Sequence, residues 1–126
     1  MKRLYATLLS ITFAITSVFA QQEDVMVGSL INAGDWFELE RAYPNIKDNV
    51  QTPLLKQMAE VLLAANFNRP DELRSKLPTL IAEHQSEIGF EGVCNMVVMG
   101  ATVEGFNGNY VVAADMIENI VDAVKG

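Results

Sequence analysis

Within its 126 residues the chain has one cysteine, Cys94, one histidine, His84, and one tryptophan, Trp36. A single thiol cannot close an intramolecular disulfide, so the fold must hold by packing alone. The neighbours of Cys94 in VCNMVVM are apolar, which predicts a buried, inert thiol. One histidine is also too few for a histidine-based metal site. In EHQSE, His84 has Glu83 beside it and Glu87 one turn on, but two further ligands are missing. His84 continues the apolar stripe of Leu77 and Ile81, and a half-buried structural role is expected. Basic residues are scarce: 9 Lys and Arg stand against 16 Asp and Glu, a net charge of −7. Nucleic acid and anionic lipid need clustered cations, so both are excluded as partners. No serine or cysteine lies in a nucleophile elbow or beside a suitable base. Glu38 and Glu40 point to different helix faces and cannot work as a paired acid and base. Asp115, Glu118 and Asp122 do share a face, but three acids on a helix form a solvated surface, whereas calcium takes a turn loop. No catalytic, cofactor-binding or metal-ligating residue is assigned, and no cofactor is expected.

Long apolar runs are limited to one, at the N-terminus. In MKRLYATLLSITFAITSVFA, Lys2 and Arg3 form a positive n-region and Leu4 to Thr16 an uncharged h-region. Val18 and Ala20 are small residues at the −3 and −1 positions of a cleavage site. The run is short for a membrane span, which needs about 20 apolar residues. Residues 1–20 are therefore expected to be a cleaved signal peptide, with residues 21–126 a single helical domain exported to the periplasm or the exterior. Losing two cations and no acid takes the net charge from −7 to −9. No stable membrane insertion is expected after cleavage.

Two-residue alternation is nearly absent beyond the leader, and helical periodicity is nearly everywhere. Tyr110, Ala113, Ala114, Ile117, Val121 and Val124 form one apolar stripe, with Asp115, Glu118, Asn119 and Asp122 on the other side. Leu54, Leu55, Met58, Ala59 and Leu62 repeat the pattern after Thr52-Pro53, a cap followed by a first-turn proline. Pro70, followed by Asp71 and Glu72, marks another helix start, since acids suit the positive end of the helix dipole. Leu73, Leu77, Leu80 and Ile81 carry its apolar face. Pro78 lies within that helix and predicts a kink or break near Lys76–Leu77. Met96 and Met99, with Val93, Val97 and Val103, fill a core, and Gly100 and Ala101 permit close helix contact.

Three segments share one pattern. Ile31-Asn32-Ala33-Gly34-Asp35, Phe67-Asn68-Arg69-Pro70-Asp71 and Phe106-Asn107-Gly108-Asn109-Tyr110 each run from a large apolar residue through asparagine into a turn and a new helix. The asparagines are 36 and 39 residues apart. Asparagine tolerates, and glycine prefers, the left-handed backbone that ends a helix. Each segment therefore predicts a tight corner between antiparallel helices. GFNGNY, residues 105–110, is such a corner and not a phosphate-cradling loop, which would need more glycines and a lysine. Gly108 should have positive φ, and the Tyr110 ring should be buried on the preceding helix. Gly108-Asn109-Tyr110 followed by Ala113 and Ala114 resembles the tetratricopeptide pattern, although the first-helix tryptophan, leucine and glycine are missing. The predicted fold is all-α: three antiparallel helix hairpins in a tetratricopeptide-like right-handed solenoid. Its helices are expected near 23–33, 35–48, 52–66, 70–86, 90–106 and 109–125.

LINAGDWFELERAYP (30–44), TPLLKQMAEVLLAANFNRPDE (52–72) and GFEGVCNMVVMGATVEGFNGNYVVAADMI (89–117) together resemble a known arrangement. It is the helical region preceding the catalytic domain in secreted retropepsin-like aspartyl proteases of Bacteroides-type bacteria. The resemblance implies a Gram-negative host and an accessory helical region. It carries no catalytic residue, because the Asp-Thr-Gly or Asp-Ser-Gly turn of that family is absent from this sequence. The expected role is non-enzymatic: a protein–protein interaction or accessory module with a protein or peptide partner. The alternative is a small-molecule or lipid-binding helical domain, with an apolar pocket between hairpins lined by Met58, Leu62, Met96 and Met99. An exposed apolar stripe would favour the first reading, an enclosed apolar cavity the second.

Overall fold

The computed structural model describes residues 22–125. The leader expected over residues 1–20 lies outside them. Among the described residues there are α-helices, one 3-10 turn and no strand, in agreement with the all-α expectation. The elements are α1 (Gln22–Ala33), α2 (Trp36–Ile46), a 3-10 turn (Lys47–Asn49), α3 (Pro53–Asn66), α4 (Pro70–Phe106) and α5 (Tyr110–Lys125). No described helix is long and apolar enough to cross a membrane. The chain divides into two compact units, one ending at Leu63 and the other beginning at Ala64.

Three corners have the same local geometry. Each contains one residue in left-handed backbone: Gly34 (φ 68°), Asn68 (φ 54°) and Gly108 (φ 80°). At each, two amide bonds close the preceding helix. The left-handed residue donates to the carbonyl three back: Gly34 to Ile31 (3.1 Å), Asn68 to Ala65 (3.4 Å), Gly108 to Gly105 (3.1 Å). The next residue donates to the carbonyl five back: Asp35 to Leu30 (3.0 Å), Arg69 to Ala64 (2.8 Å), Asn109 to Glu104 (2.9 Å). This is the Schellman arrangement, which satisfies carbonyls that a helix end leaves unpaired. In every case the new helix begins two residues after the left-handed one, at Trp36, Pro70 and Tyr110. The corners and the positive φ of Gly108 are as expected, but their equivalence is shifted. Asn32 lies inside α1, and Asn107 keeps φ −94° at the end of α4. The matching positions are Gly34, Asn68 and Gly108, spaced 34 and 40 residues apart.

The first unit is organised around a buried acid. Asp24 in α1 has no solvent exposure. Its carboxylate accepts the backbone N–H groups of Gln51 (2.7 Å) and Thr52 (2.9 Å) and the Thr52 hydroxyl. The Thr52 carbonyl in turn accepts the Lys56 N–H, so Asp24 places its charge at the N-terminal end of α3, where the helix dipole favours an anion. Thr52 thus caps α3 through its backbone while its hydroxyl serves Asp24. A second link joins α2 to α3: Tyr43 donates its hydroxyl to Glu60 at 2.7 Å. Burial, and then the Glu60 carboxylate, push the Tyr43 phenol well above its ordinary pKa. Val27, Leu39, Leu55, Ala59 and Val61 fill the space around these links.

In the second unit α4 is two helical stretches joined across a break. His84 (φ −130°, ψ 17°) and Gly89 (φ 83°, ψ 162°) leave the helical region. A straight helix would hold residues 30 apart at about 45 Å. Instead, Arg74 and Glu104 make an ion pair at 2.8 Å. The chain therefore reverses around residues 84–89, and the two halves of α4 lie against each other. This corrects the expected kink at Lys76–Leu77. Arg74 and Pro78 are both exposed, so water can take up the carbonyl that proline leaves unpaired, and the helix continues. His84 is half-buried at the reversal, with Nδ1 2.7 Å from a Glu87 oxygen.

Gly100 sets how closely the two halves of α4 and α5 approach. A Cβ there would lie 2.7 Å from Met116 Cε and 2.8 Å from Leu77 Cδ2, whereas nothing lies within 4 Å of one at Gly105. The two glycines should therefore respond oppositely. Gly100→Val overpacks and should cost about 1–3 kcal/mol. Gly105→Ala only removes backbone freedom and should stabilise by about 0.5–1 kcal/mol. Urea titrations followed by circular dichroism will separate the signs.

Candidate functional site

The α5 helix is apolar over most of its circumference, and its sequence offers two stripes where one was expected. Ala113, Met116 and Ile120 turn inward and are partly covered. The other stripe, Tyr110, Ala114, Ile117, Val121 and Val124, is exposed throughout, with Tyr110 at 73% and Val124 at 65%. This overturns the expected burial of the Tyr110 ring. Met116, drawn into the gap above Gly100, fixes the rotation of the helix, and that rotation turns Tyr110 outward. The exposed stripe has the spacing 4-3-4-3, the seam of a coiled-coil helix. At 1.5 Å per residue it runs for about 21 Å. Glu118 and Asp122 border it along one edge, with Asp115 beyond, and all three are exposed.

The corner that starts this helix is held by a buried acid. Glu104, only 3% exposed, accepts from Arg74 Nε and Nη2, both at 2.8 Å, and from Asn109 Nδ2 at 3.0 Å. The Arg74 hydrogen bonds, with help from Asn109 and against the opposing effect of burial, hold the Glu104 carboxyl below its ordinary 4.5. Asn107 adds a lateral tie. Its Nδ2 donates to Asn68 Oδ1 at 2.7 Å and to the Val103 carbonyl at 2.8 Å. Two of the asparagines aligned by sequence spacing are thus direct partners. GFNGNY is a corner, but its two aromatic residues both face solvent, Phe106 at 85%.

The surface depressions of the second unit include two large ones. One, of about 420 Å³, is an almost wholly apolar groove between Pro78 and Ile81 on one side and Met116 and Ile120 on the other, with Cys94 and Phe90 in its wall. Cys94 is half-buried there and not fully enclosed as expected, because it lines the wall of an open groove. The other, of about 510 Å³, lies beside the Asn68–Asn107 tie and is lined by Met99, Thr102 and Phe106. Of the residues expected to line one apolar pocket, Met58, Leu62 and Met96 are buried core side chains, and Met99 borders the second depression. Among the described residues, no three His, Cys, Asp or Glu side chains gather as metal ligands do. The α5 seam was visible in the sequence, since its five residues belong to the apolar set. The missed signal was that a helix apolar over so wide an arc has more stripes than one neighbour can cover.

Tyr110→Ala should change stability by no more than about 0.5 kcal/mol, as exposed side chains do. Glu104→Gln, which strips the charge from a buried carboxyl whose partner Arg74 is exposed and screened by water, should cost about 1 kcal/mol near neutral pH. The folded carboxyl sits below 4.5, so its contribution is complete above that value and is lost as pH falls through the depressed one. Thermal melts from pH 7 to pH 3 should therefore show a steeper acid loss for the natural chain than for Glu104→Gln.

Comparison with known proteins finds no family model, no curated protein and no solved structure that matches this chain.

Proposed function

We infer that this chain is an exported, non-catalytic interaction module that binds a protein or peptide partner through its last helix. The observation that carries the reading is the exposed seam of α5, apolar from Tyr110 to Val124. A contiguous apolar surface of this kind marks an interaction site. The reading includes a tetratricopeptide-like right-handed stack of three hairpins, supported by the recurrence of one corner geometry at Gly34, Asn68 and Gly108. Export rests on the leader-like residues 1–20. Association with a retropepsin-like aspartyl protease rests on the resemblance of residues 30–44, 52–72 and 89–117 alone.

One observation favours a second reading, binding of a small molecule or lipid. The groove beside Cys94 is apolar, and its volume of about 420 Å³ falls within the size range of ligand pockets. It is open, however, along exposed Pro78, Ala82 and Phe90, whereas a carrier encloses most of its ligand.

Site-specific photo-crosslinking in the host compartment tests the choice. A photoreactive residue at Val121 should give discrete protein adducts, and one at exposed Gln85 none. Adducts of small mass only, formed from position 82 in the groove, would support the second reading. Acid and neutral peptidase assays with a pepstatin control should show no cleavage; activity that persists through further purification would end the non-catalytic reading.

A further inference from the structure

We propose that the α5 seam takes one class of partner: an amphipathic helix with heptad-spaced apolar residues and a lysine- or arginine-rich edge. The inference rests on the interaction-module reading and adds the identity of the occupant.

The spacing specifies a helix. Tyr110, Ala114, Ile117, Val121 and Val124 fall at alternating steps of four and three, so they line up along one side of α5 as a narrow ridge. A second helix at a shallow crossing angle inserts its own side chains between such residues. The small Ala114 leaves a gap in the ridge where a larger partner side chain fits. A flat protein surface or an extended peptide would match neither the spacing nor the gap.

The charge specifies the edge. Glu118 and Asp122 border the ridge on the side away from the packed face of α5, and Asp115 lies just beyond. From Tyr110 to Val124 the helix has no lysine or arginine. A partner with cations along the facing edge gains both attraction and register, as charges at the flanks of coiled coils do. A second copy of this chain is a poor occupant: it offers the same acids and a net charge of −7. Packing within the unit leaves the ridge free, since Met116 and Ile120 on the far side of α5 make the inward contacts.

The test uses three fluorescently labelled synthetic peptides of three heptads each. All carry leucine and isoleucine at the seam positions: one has lysine and arginine on its flanks, one has glutamate there, and one is a scrambled form of the first. Fluorescence anisotropy with the full exported chain should show the basic-edged peptide bound at least about tenfold more tightly than the acidic-edged one, with the difference shrinking in high salt. Val121→Asp should abolish binding. The double change Glu118→Lys and Asp122→Lys should reverse the preference between the two peptides. All these positions are exposed, and unchanged melting curves will show that the variants remain folded. Equal binding of the basic and acidic peptides would overturn the proposed edge while leaving an apolar interaction surface in place. Absence of binding by any peptide overturns the proposal. So does a concentration-dependent dimer in sedimentation that Val121→Asp removes, which would make a second copy the occupant. Protein adducts from Val121 in the host compartment, alongside failure of all three peptides, would separate loss of this inference from loss of the interaction-module reading.

Discussion

The helices depend on one backbone constraint met at three corners: a helix must end and the next must start two residues after a left-handed one. Only left-handed φ allows it, and the chain supplies glycine at two of the positions and asparagine at the third. An L side chain in left-handed backbone costs roughly 1–2 kcal/mol, with asparagine among the few residues that visit it routinely. At Asn68 the side chain offsets some of that by accepting from Asn107. Where Gly108 and Gly34 turn without help, Asn68 turns with a partner.

Buried acids then do in each unit what a larger apolar core would otherwise do. Asp24 gathers Gln51 and Thr52 at the start of α3. Glu104 gathers Arg74 and Asn109 at the start of α5. Both carboxylates sit where unpaired donors would be costly, so each satisfies groups that the tight corners and helix starts leave open. With one thiol in the whole chain and no disulfide possible, such polar ties give direction to packing that is otherwise unspecific.

The sequence made some of this plain and hid the rest for physical reasons. Helical periodicity, the corners and the sign of φ at Gly108 follow from local rules acting over a few residues. The rotation of α5 does not. Its two apolar stripes are equivalent until Gly100 admits Met116 and Leu77, and that choice is made by residues far away in sequence. Pro78 misled because its cost depends on whether water reaches the freed carbonyl, which is a tertiary property. Cys94 has apolar neighbours in sequence yet borders a groove, since neighbours along a helix do not decide what covers it. Glu104 gave no signal at all: its partner Arg74 is 30 residues away.

The closing of each corner by bonds spanning three to five residues also bears on how fast the chain finds its structure. Local contacts cost little loop entropy, and helical folds built from them complete folding in microseconds to milliseconds. Other contacts join distant positions, among them Asp24 to Thr52, Arg74 to Glu104, and Asn68 to Asn107. The reversal at residues 84–89 brings Arg74 and Glu104 into range. The corner at Asn68 starts the helix that carries Arg74, and the corner at Gly108 follows Glu104 directly. Helix and corner contacts thus need little loop closure, whereas each buried carboxylate needs donors brought from distant positions.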